Sequence, residues 1–251
     1  ITRIISGIIG IGIAGYVIQT GGTTFTVAAA VLAALAWFEY TRAFSRRGGS
    51  PALFSGILGI GGMLYGAFIG QESVILLSMI ASSILALMTC VLLRGDVSVH
   101  DATVSVAGIC YIGMPFALLI LLRNMTGPIY TTPIETFSCG AVMVWVMFIG
   151  TWASDSFAYF AGRAFGSHKL APAISPNKTI EGFFGGLIGT IAVVVGLGWL
   201  LAMSLPQMAA LGAAIAVLGT LGDLVESMMK RQTGIKDSGA IIPDTVVYGI
   251  A

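Results

Sequence analysis

Asp223, Glu226, Ser227 and Lys230 stand at positions i, i+3, i+4 and i+7, the spacing that sets four side chains on one face of a helix. Arg231 follows directly, and Lys236 and Asp237 come shortly after. Leu221, Leu224, Val225, Met228 and Met229 take the opposite face. Only 9% of the chain is charged, yet six charged side chains fall between Asp223 and Asp237. Carboxylates interleaved with a hydroxyl and basic groups can hold a divalent cation together with phosphates. Mg²⁺ in particular is bound through one or two carboxylates, with waters and substrate phosphates filling the rest of its shell. The same groups can also form a plain ion pair, Asp223–Lys230 or Glu226–Lys230, that ties helices together.

A second polar segment runs from Ser154 to Gly182. It carries Asp155, Ser156, Tyr159, Arg163, His168 and Lys169, then Ser175-Pro176-Asn177-Lys178-Thr179 and Glu181. Pro172 and Pro176 break any helix here. Thr179, or Ser175 with Lys178, falls just before the next apolar run. That position is the start of a helix, whose dipole and open N–H groups favour an anion. Glu181 would then need another role, such as pairing a lysine, and His168 reads as a loop residue or a nucleotide contact. Gly182, Gly185 and Gly186 are followed by no Lys-Ser/Thr, so they form no P-loop. Close helix packing is the default meaning of such small residues.

The elements that position these groups are set by composition. The 251 residues are 57% hydrophobic, with a mean hydropathy of +0.97. Soluble domains are about 45–50% apolar and about 25% charged. The reading is an all-α fold, a polytopic transmembrane helical bundle of about 8–9 spans. A β-barrel is excluded, because its strands alternate over about 10 residues and these runs are longer and unalternating. Residues 4–20, 23–44, 52–70, 73–93, 102–122, 137–161, 182–203 and 207–229 each fit a crossing, which takes about 20 residues. The apolar tail 246–251 reads as the stub of a ninth. An ionisable group at the bilayer centre costs about 2.5–3.5 kcal/mol, so the Asp223 stripe must face protein or a water-filled cavity.

Loop charge gives the expected orientation. With a cytoplasmic N-terminus, eleven of the twelve Lys and Arg face the cytoplasm and only Arg123 lies outside, a strong positive-inside pattern. The carboxylate stripe and the Ser175–Thr179 loop then share the cytoplasmic side. One integral-membrane domain, 1–251, is expected. Within it, residues 1–136 supply packing spans and residues 137–251 carry the chemistry on cytoplasmic loops. The Gly-rich third span suits an interface between copies. Cys90, Cys110 and Cys139 lie in apolar spans without a CxxC pair, which argues against zinc or disulfides. The chain begins with Ile1, which suggests an upstream stretch, and its first apolar run leads straight into further spans rather than reading as a cleavable signal.

The run Gly222-Asp223-Leu224-Val225-Glu226-Ser227-Met228-Met229-Lys230-Arg231, followed by Lys236-Asp237-Ser238-Gly239 and Pro243, closely resembles the signature of the phosphatidate cytidylyltransferases (CDP-diacylglycerol synthases). Asp155, Ala158-Tyr159, Gly162-Arg163, Phe165-Gly166, Lys169-Leu170, Ser175-Pro176-Asn177-Lys178-Thr179 and Glu181-Gly182 resemble that family's other conserved block. The two blocks cover about the last 100 residues; the first 150 match as generic apolar spans.

The resemblance implies the reaction of CTP with phosphatidic acid to CDP-diacylglycerol and pyrophosphate, with Mg²⁺ and room for a second cation. Asp223 and Asp237 become metal-binding carboxylates, with Glu226 beside them as a further candidate. Lys178, Lys230, Arg231 and Lys236 contact phosphates. Ser175, Thr179 and Ser227 are lesser candidates for that role, and Asp155 belongs to the polar cavity. Asp223, Asp237, Lys230 and Lys178 are the expected catalytic set. The implied partners are CTP, phosphatidic acid and the bilayer, with no nucleic acid and with room for a homodimer. The implied location is a bacterial inner membrane with the site facing the cytoplasm. After Pro243 the family pattern continues with Gly-His-Gly-Gly, an Asp-Arg-x-Asp element and a last span. Here the chain passes to Asp244-Thr245 and the short apolar tail, so a stretch between Pro243 and Val246 is expected to be missing.

The parts suit that chemistry. A phosphate monoester is already an anion near neutral pH, since its second pKa is about 6. No Ser/His/Asp triad is needed and none is visible. The rival from another class is an ion-coupled secondary transporter, which also uses intramembrane Asp, Glu and Lys with glycine-broken helices. Against it, no inverted repeat is visible, and the charges gather at one face rather than the midplane. Other membrane transferases would show Asp-Gly-x-x-Ala-Arg or aspartate-rich motifs, which this chain lacks.

Overall fold

The computed structural model describes residues 2–45, 48–92, 97–131 and 135–233. Lys236 and Asp237, and the expected gap after Pro243, lie outside the described residues. The described part is all-α apart from two short β-hairpins. Helices α1 (Thr2–Thr20), α2 (Gly22–Ser45), α3 (Leu53–Phe68) and α4 (Glu72–Leu92) are followed by α5 (Val99–Gly108) and α6 (Met114–Arg123). The hairpin β1 (Tyr130–Thr131) and β2 (Thr136–Phe137) leads into α7 (Cys139–Phe165). A second hairpin, β3 (Lys169–Ala171) and β4 (Ser175–Thr179), precedes α8 (Ile180–Leu200) and α9 (Leu205–Thr233).

These helices fall on the apolar runs of the sequence. Six helical stretches are long and apolar enough to cross a membrane: α2, α4, the α5–α6 stretch, α7, α8 and α9. Helix α3 has 16 residues, or about 24 Å at 1.5 Å per residue, against a hydrocarbon core of about 30 Å. The α5–α6 stretch contains a widened π turn at Ile109–Gly113. It sits immediately before Pro115, whose missing N–H cannot complete a regular ladder.

Contacts divide the chain into two compact units, one reaching Ala141 and the other starting at Val142. The division drawn from the sequence fell at 136/137, before α7; the contact boundary falls in the first turn of that helix.

In the first unit, the glycines of α3 admit neighbouring helices. A Cβ on Gly56 would meet the Trp37 ring, one on Gly59 or Gly62 would meet Ser82 or Ser78, and one on Gly66 would meet the Ile75 backbone. Small residues earn this use because they let backbones approach closely. Gly56, Gly59, Gly62 and Gly66 are thus used inside the chain by α2 and α4, while Gly61 faces open space. Trp37 is fully buried, donates from Nε1 to the Leu53 carbonyl at 3.1 Å and stacks on Tyr40 at 5.7 Å. Helix α5 opens with a capping box between Ser98 and Asp101, which satisfies two otherwise open N–H groups. Asp101 also accepts from the Ser50 N–H at 3.0 Å, holding the loop between α2 and α3.

Arg123 closes this unit at the end of α6. It is 8% exposed. Its guanidinium donates to the carbonyls of Ile18 at 2.5 Å and Gln19 at 2.9 Å, and to the Ser138 hydroxyl at 3.2 Å. It thus caps the C-terminal turn of α1, where open carbonyls and the negative dipole end favour a cation. Gly21 has φ +65° and a Cβ there would strike the guanidinium, so this turn requires glycine.

In the second unit, the glycines of α8 lie against α7. A Cβ on Gly182 would meet the Ala158 carbonyl at 2.9 Å, one on Gly186 would meet the Ser154 carbonyl at 3.0 Å, and one on Gly189 would run into the Phe157 ring. The packing reading of this glycine cluster is what the fold uses. Helix α9 joins through Gly212, which faces the Ile191 backbone at 3.0 Å, while Gly150 of α7 faces Ile215 and Val194.

Candidate functional site

The polar groups of the second unit come from α7, the β3–β4 hairpin and α9. The hairpin is where the two prolines stop a helix. Lys169 pairs with Thr179 and Ala171 with Ser175, antiparallel and with an irregularity between them. Its ends are closed by Glu181, which accepts from the His168 backbone N–H at 3.2 Å and lies 2.7 Å from His168 Nδ1. The expectation that Glu181 pairs with a lysine is corrected here: its partner is His168, and His168 is the loop residue that latches the hairpin to the first turn of α8.

Successive residues of a strand point to opposite sides, and this decides the roles of Lys178 and Thr179. Thr179 turns inward. Its hydroxyl accepts from the Gly182 N–H at 3.1 Å as the N-cap of α8, and it is 9% exposed. Gly162, Gly166 and Gly182 leave the space it fills, each with an ideal Cβ about 2.9–3.0 Å from the Thr179 hydroxyl. This geometry makes Thr179 the residue that starts the helix. Lys178 turns the other way and forms an ion pair with Asp223 of α9.

Asp155 of α7 completes the cluster, within electrostatic reach of both Asp223 and Lys178. Three elements thus bring two carboxylates and one ammonium together. Asp223 keeps 53% of its side chain exposed and Lys178 27%. Of the two ion pairs weighed from the sequence, Glu226–Lys230 is formed, and Asp223 pairs with Lys178. Lys230 pairs with Glu226, one turn back, at 2.6 Å, and Asp223 takes Lys178 across the fold. Arg231 donates from Nε to the Ile174 carbonyl, so it holds the hairpin turn as well as offering charge. Helix α9 therefore grips the hairpin twice, at Asp223 and at Arg231, eight residues or about 12 Å apart along the helix. Ser227 lies on the same stripe, half-buried, and Ser175 is half-buried on β4.

Sequence spacing brought Asp223, Glu226, Ser227 and Lys230 to one helix face, and the continuous helix α9 keeps them there. It did not show that Lys178 reaches Asp223, nor that Asp155 comes within electrostatic reach of both. The available signal was the alternation of Lys178 and Thr179 in a proline-bounded segment, which has meaning only once the segment is a strand.

The donors here are hard oxygens. Among the described residues no three His, Cys, Asp or Glu side chains gather as a preformed metal cage. Two carboxylates with open approach, and an ammonium already drawn to one of them, fit a cation that completes its shell with water and phosphate, as Mg²⁺ does.

Fold and site together define a polytopic helical membrane protein with an acidic and basic cluster at the end of its last described helix. The chain belongs to the Cytidylyltransferase family, which matches residues 1–245. A phosphatidate cytidylyltransferase of Staphylococcus haemolyticus is 34% identical over 245 residues, covering 96% of this chain and 89% of that protein. Phosphatidate cytidylyltransferases of Staphylococcus aureus and Staphylococcus epidermidis are 36% and 37% identical over 168 and 167 residues. Those two matches cover 66% of this chain and 59% of each relative. The transporter reading finds no support among these relatives.

Proposed function

We propose that this chain joins CTP and phosphatidic acid into CDP-diacylglycerol and releases pyrophosphate. A phosphate oxygen of phosphatidic acid attacks the α-phosphorus of CTP. The bond from that phosphorus to the β-phosphate oxygen breaks, and pyrophosphate leaves with the electron pair. The nucleophile is ionised near neutral pH, so the protein needs to position and neutralise rather than to deprotonate. In-line phosphoryl-type transfers depend on those two effects.

The observation that carries the reading is the convergence of Asp155, Lys178 and Asp223 from α7, β4 and α9, in a chain whose family and relatives are cytidylyltransferases. Asp223, with Asp155 and Asp237, would hold Mg²⁺, and Glu226 stands one turn away. When bound, the ion supplies charge neutralisation at the α-phosphate and the leaving pyrophosphate. Lys230 and Lys178 bring cationic charge to the phosphates, and Arg231 and Lys236 extend the basic surface. Ser227 and Ser175 offer hydroxyls along the same stripe. Thr179 acts through the fold, fixing where β4 ends and therefore where Lys178 points.

The architecture follows from the substrates. The lipid keeps its acyl chains in the bilayer and its phosphate at the headgroup level, while CTP arrives from water. We place the site at the cytoplasmic face of a bacterial inner membrane, with the N-terminus on that side and eight or nine crossings. The test is pyrophosphate release by purified full-length protein given CTP, phosphatidic acid and Mg²⁺ in detergent. Release that requires all three is expected; a folded sample that releases none overturns the proposal.

A further inference from the structure

We propose that Lys178, which pairs with Asp223, competes with a divalent cation for that carboxylate and turns to substrate phosphate when the cation takes it. The inference rests on the functional reading above and adds a step to it. The observation behind it is that Asp223, the carboxylate proposed above to hold the cation, is the partner of a lysine from another element. Asp155 of α7 lies within electrostatic reach of both. Two carboxylates with no cation between them would repel, and the ammonium of Lys178 removes that cost.

A divalent ion arriving at Asp223 competes with the ammonium there, because the two cations repel each other and the metal neutralises the carboxylate charge that holds the lysine. Lys178 sits on a short strand anchored at both ends, by Thr179 capping α8 and by Arg231 holding the Ile174 carbonyl. Its backbone therefore stays in place, and only its four-carbon side chain needs to swing. A released ammonium on that tether remains within reach of phosphates brought to the ion. The exchange offsets part of the carboxylate charge before the cation arrives, and it couples arrival of metal with nucleotide to availability of the lysine.

The partner residues make separate tests. Mn²⁺ binding to detergent-solubilised protein without nucleotide, followed by electron paramagnetic resonance, should tighten several-fold in Lys178→Gln, because the competitor is gone. Lys178→Arg, which keeps the charge, should bind Mn²⁺ close to wild type. CTP turnover should fall in both. Equal Mn²⁺ affinity in wild type and Lys178→Gln overturns the exchange. Loss of Mn²⁺ binding in Asp223→Asn is the separate check on the metal position, so failure of the underlying reading is told apart from failure of the exchange. A wild-type measurement avoids any folding defect. Acetylation of Lys178 by an N-hydroxysuccinimide ester, read by mass spectrometry, should rise on adding Mn²⁺ alone and fall again on adding CTP. Reactivity that ignores Mn²⁺ also overturns the proposal.

Discussion

Lys178 of the β3–β4 hairpin pairs with Asp223 of α9, forty-five positions later in the chain. The pair joins the two polar segments of the sequence into one cluster. It also fixes which face of α9 meets the hairpin, since Asp223 shares its stripe with Glu226, Ser227 and Lys230.

Asp223→Asn should abolish pyrophosphate release while leaving membrane insertion intact. The amide keeps the shape but loses the charge that would hold both Lys178 and a divalent cation. A loss on the order of 100-fold or more is expected for a group that neutralises transferring phosphate. Turnover within a few-fold of wild type would remove Asp223 from the metal role.

Thr179→Ala should lower stability by about 1 kcal/mol, the usual value of a lost N-cap. Thr179→Ser, which keeps the capping oxygen, should retain most of it. Thermal melts of the purified protein check this. If Thr179→Ala melts like wild type but loses CTP affinity, the hydroxyl contacts phosphate after all and the capping role is wrong.

Gly189→Leu should block folding, because a side chain there runs into the Phe157 ring between α7 and α8. Gly196→Leu, on the same helix but facing open space, should be well tolerated. Size-exclusion profiles in detergent compare the two. Equal behaviour would mean that α8 does not lie on α7 through its glycine face.

Arg123→Ala should destabilise the protein by about 3 kcal/mol, because buried hydrogen bonds to a charged donor are worth about 1.5–3 kcal/mol each and the Ile18 and Gln19 carbonyls lose their partner. Arg123→Lys should recover part of this, since a single ammonium cannot span three acceptors. Thermal inactivation half-lives distinguish the variants. An Arg123→Ala protein as durable as wild type would show that water satisfies the α1 terminus without help.

Much of the fold was legible because membrane helices announce themselves by long apolar runs. The predicted crossings and the observed helices coincide closely, although α3 is shorter than its apolar run and α9 carries Lys230 and Arg231 on helix rather than loop. The hairpins were not legible. Pro172 and Pro176 said only that no helix continues there, and short strands lack the length for a periodic signal. Glu181 looked available to a lysine until the hairpin brought His168 to it.

The sequence by itself determined the membrane class, the approximate helix positions and the stripe from Asp223 to Lys230, because hydropathy and helical spacing are local properties. The resemblance of its two polar blocks pointed to the right family for the same reason: motif residues are read in order along the chain. Only the tertiary structure decided the pairings. Arg123 looked like the single basic residue on the far side and proved to be a buried cap for α1, more than a hundred positions away. Thr179 and Lys178 are neighbours in sequence, and the pleat of one strand sends the first into a glycine-lined recess and the second to Asp223. Those choices depend on which backbones pack together, and no local pattern encodes that.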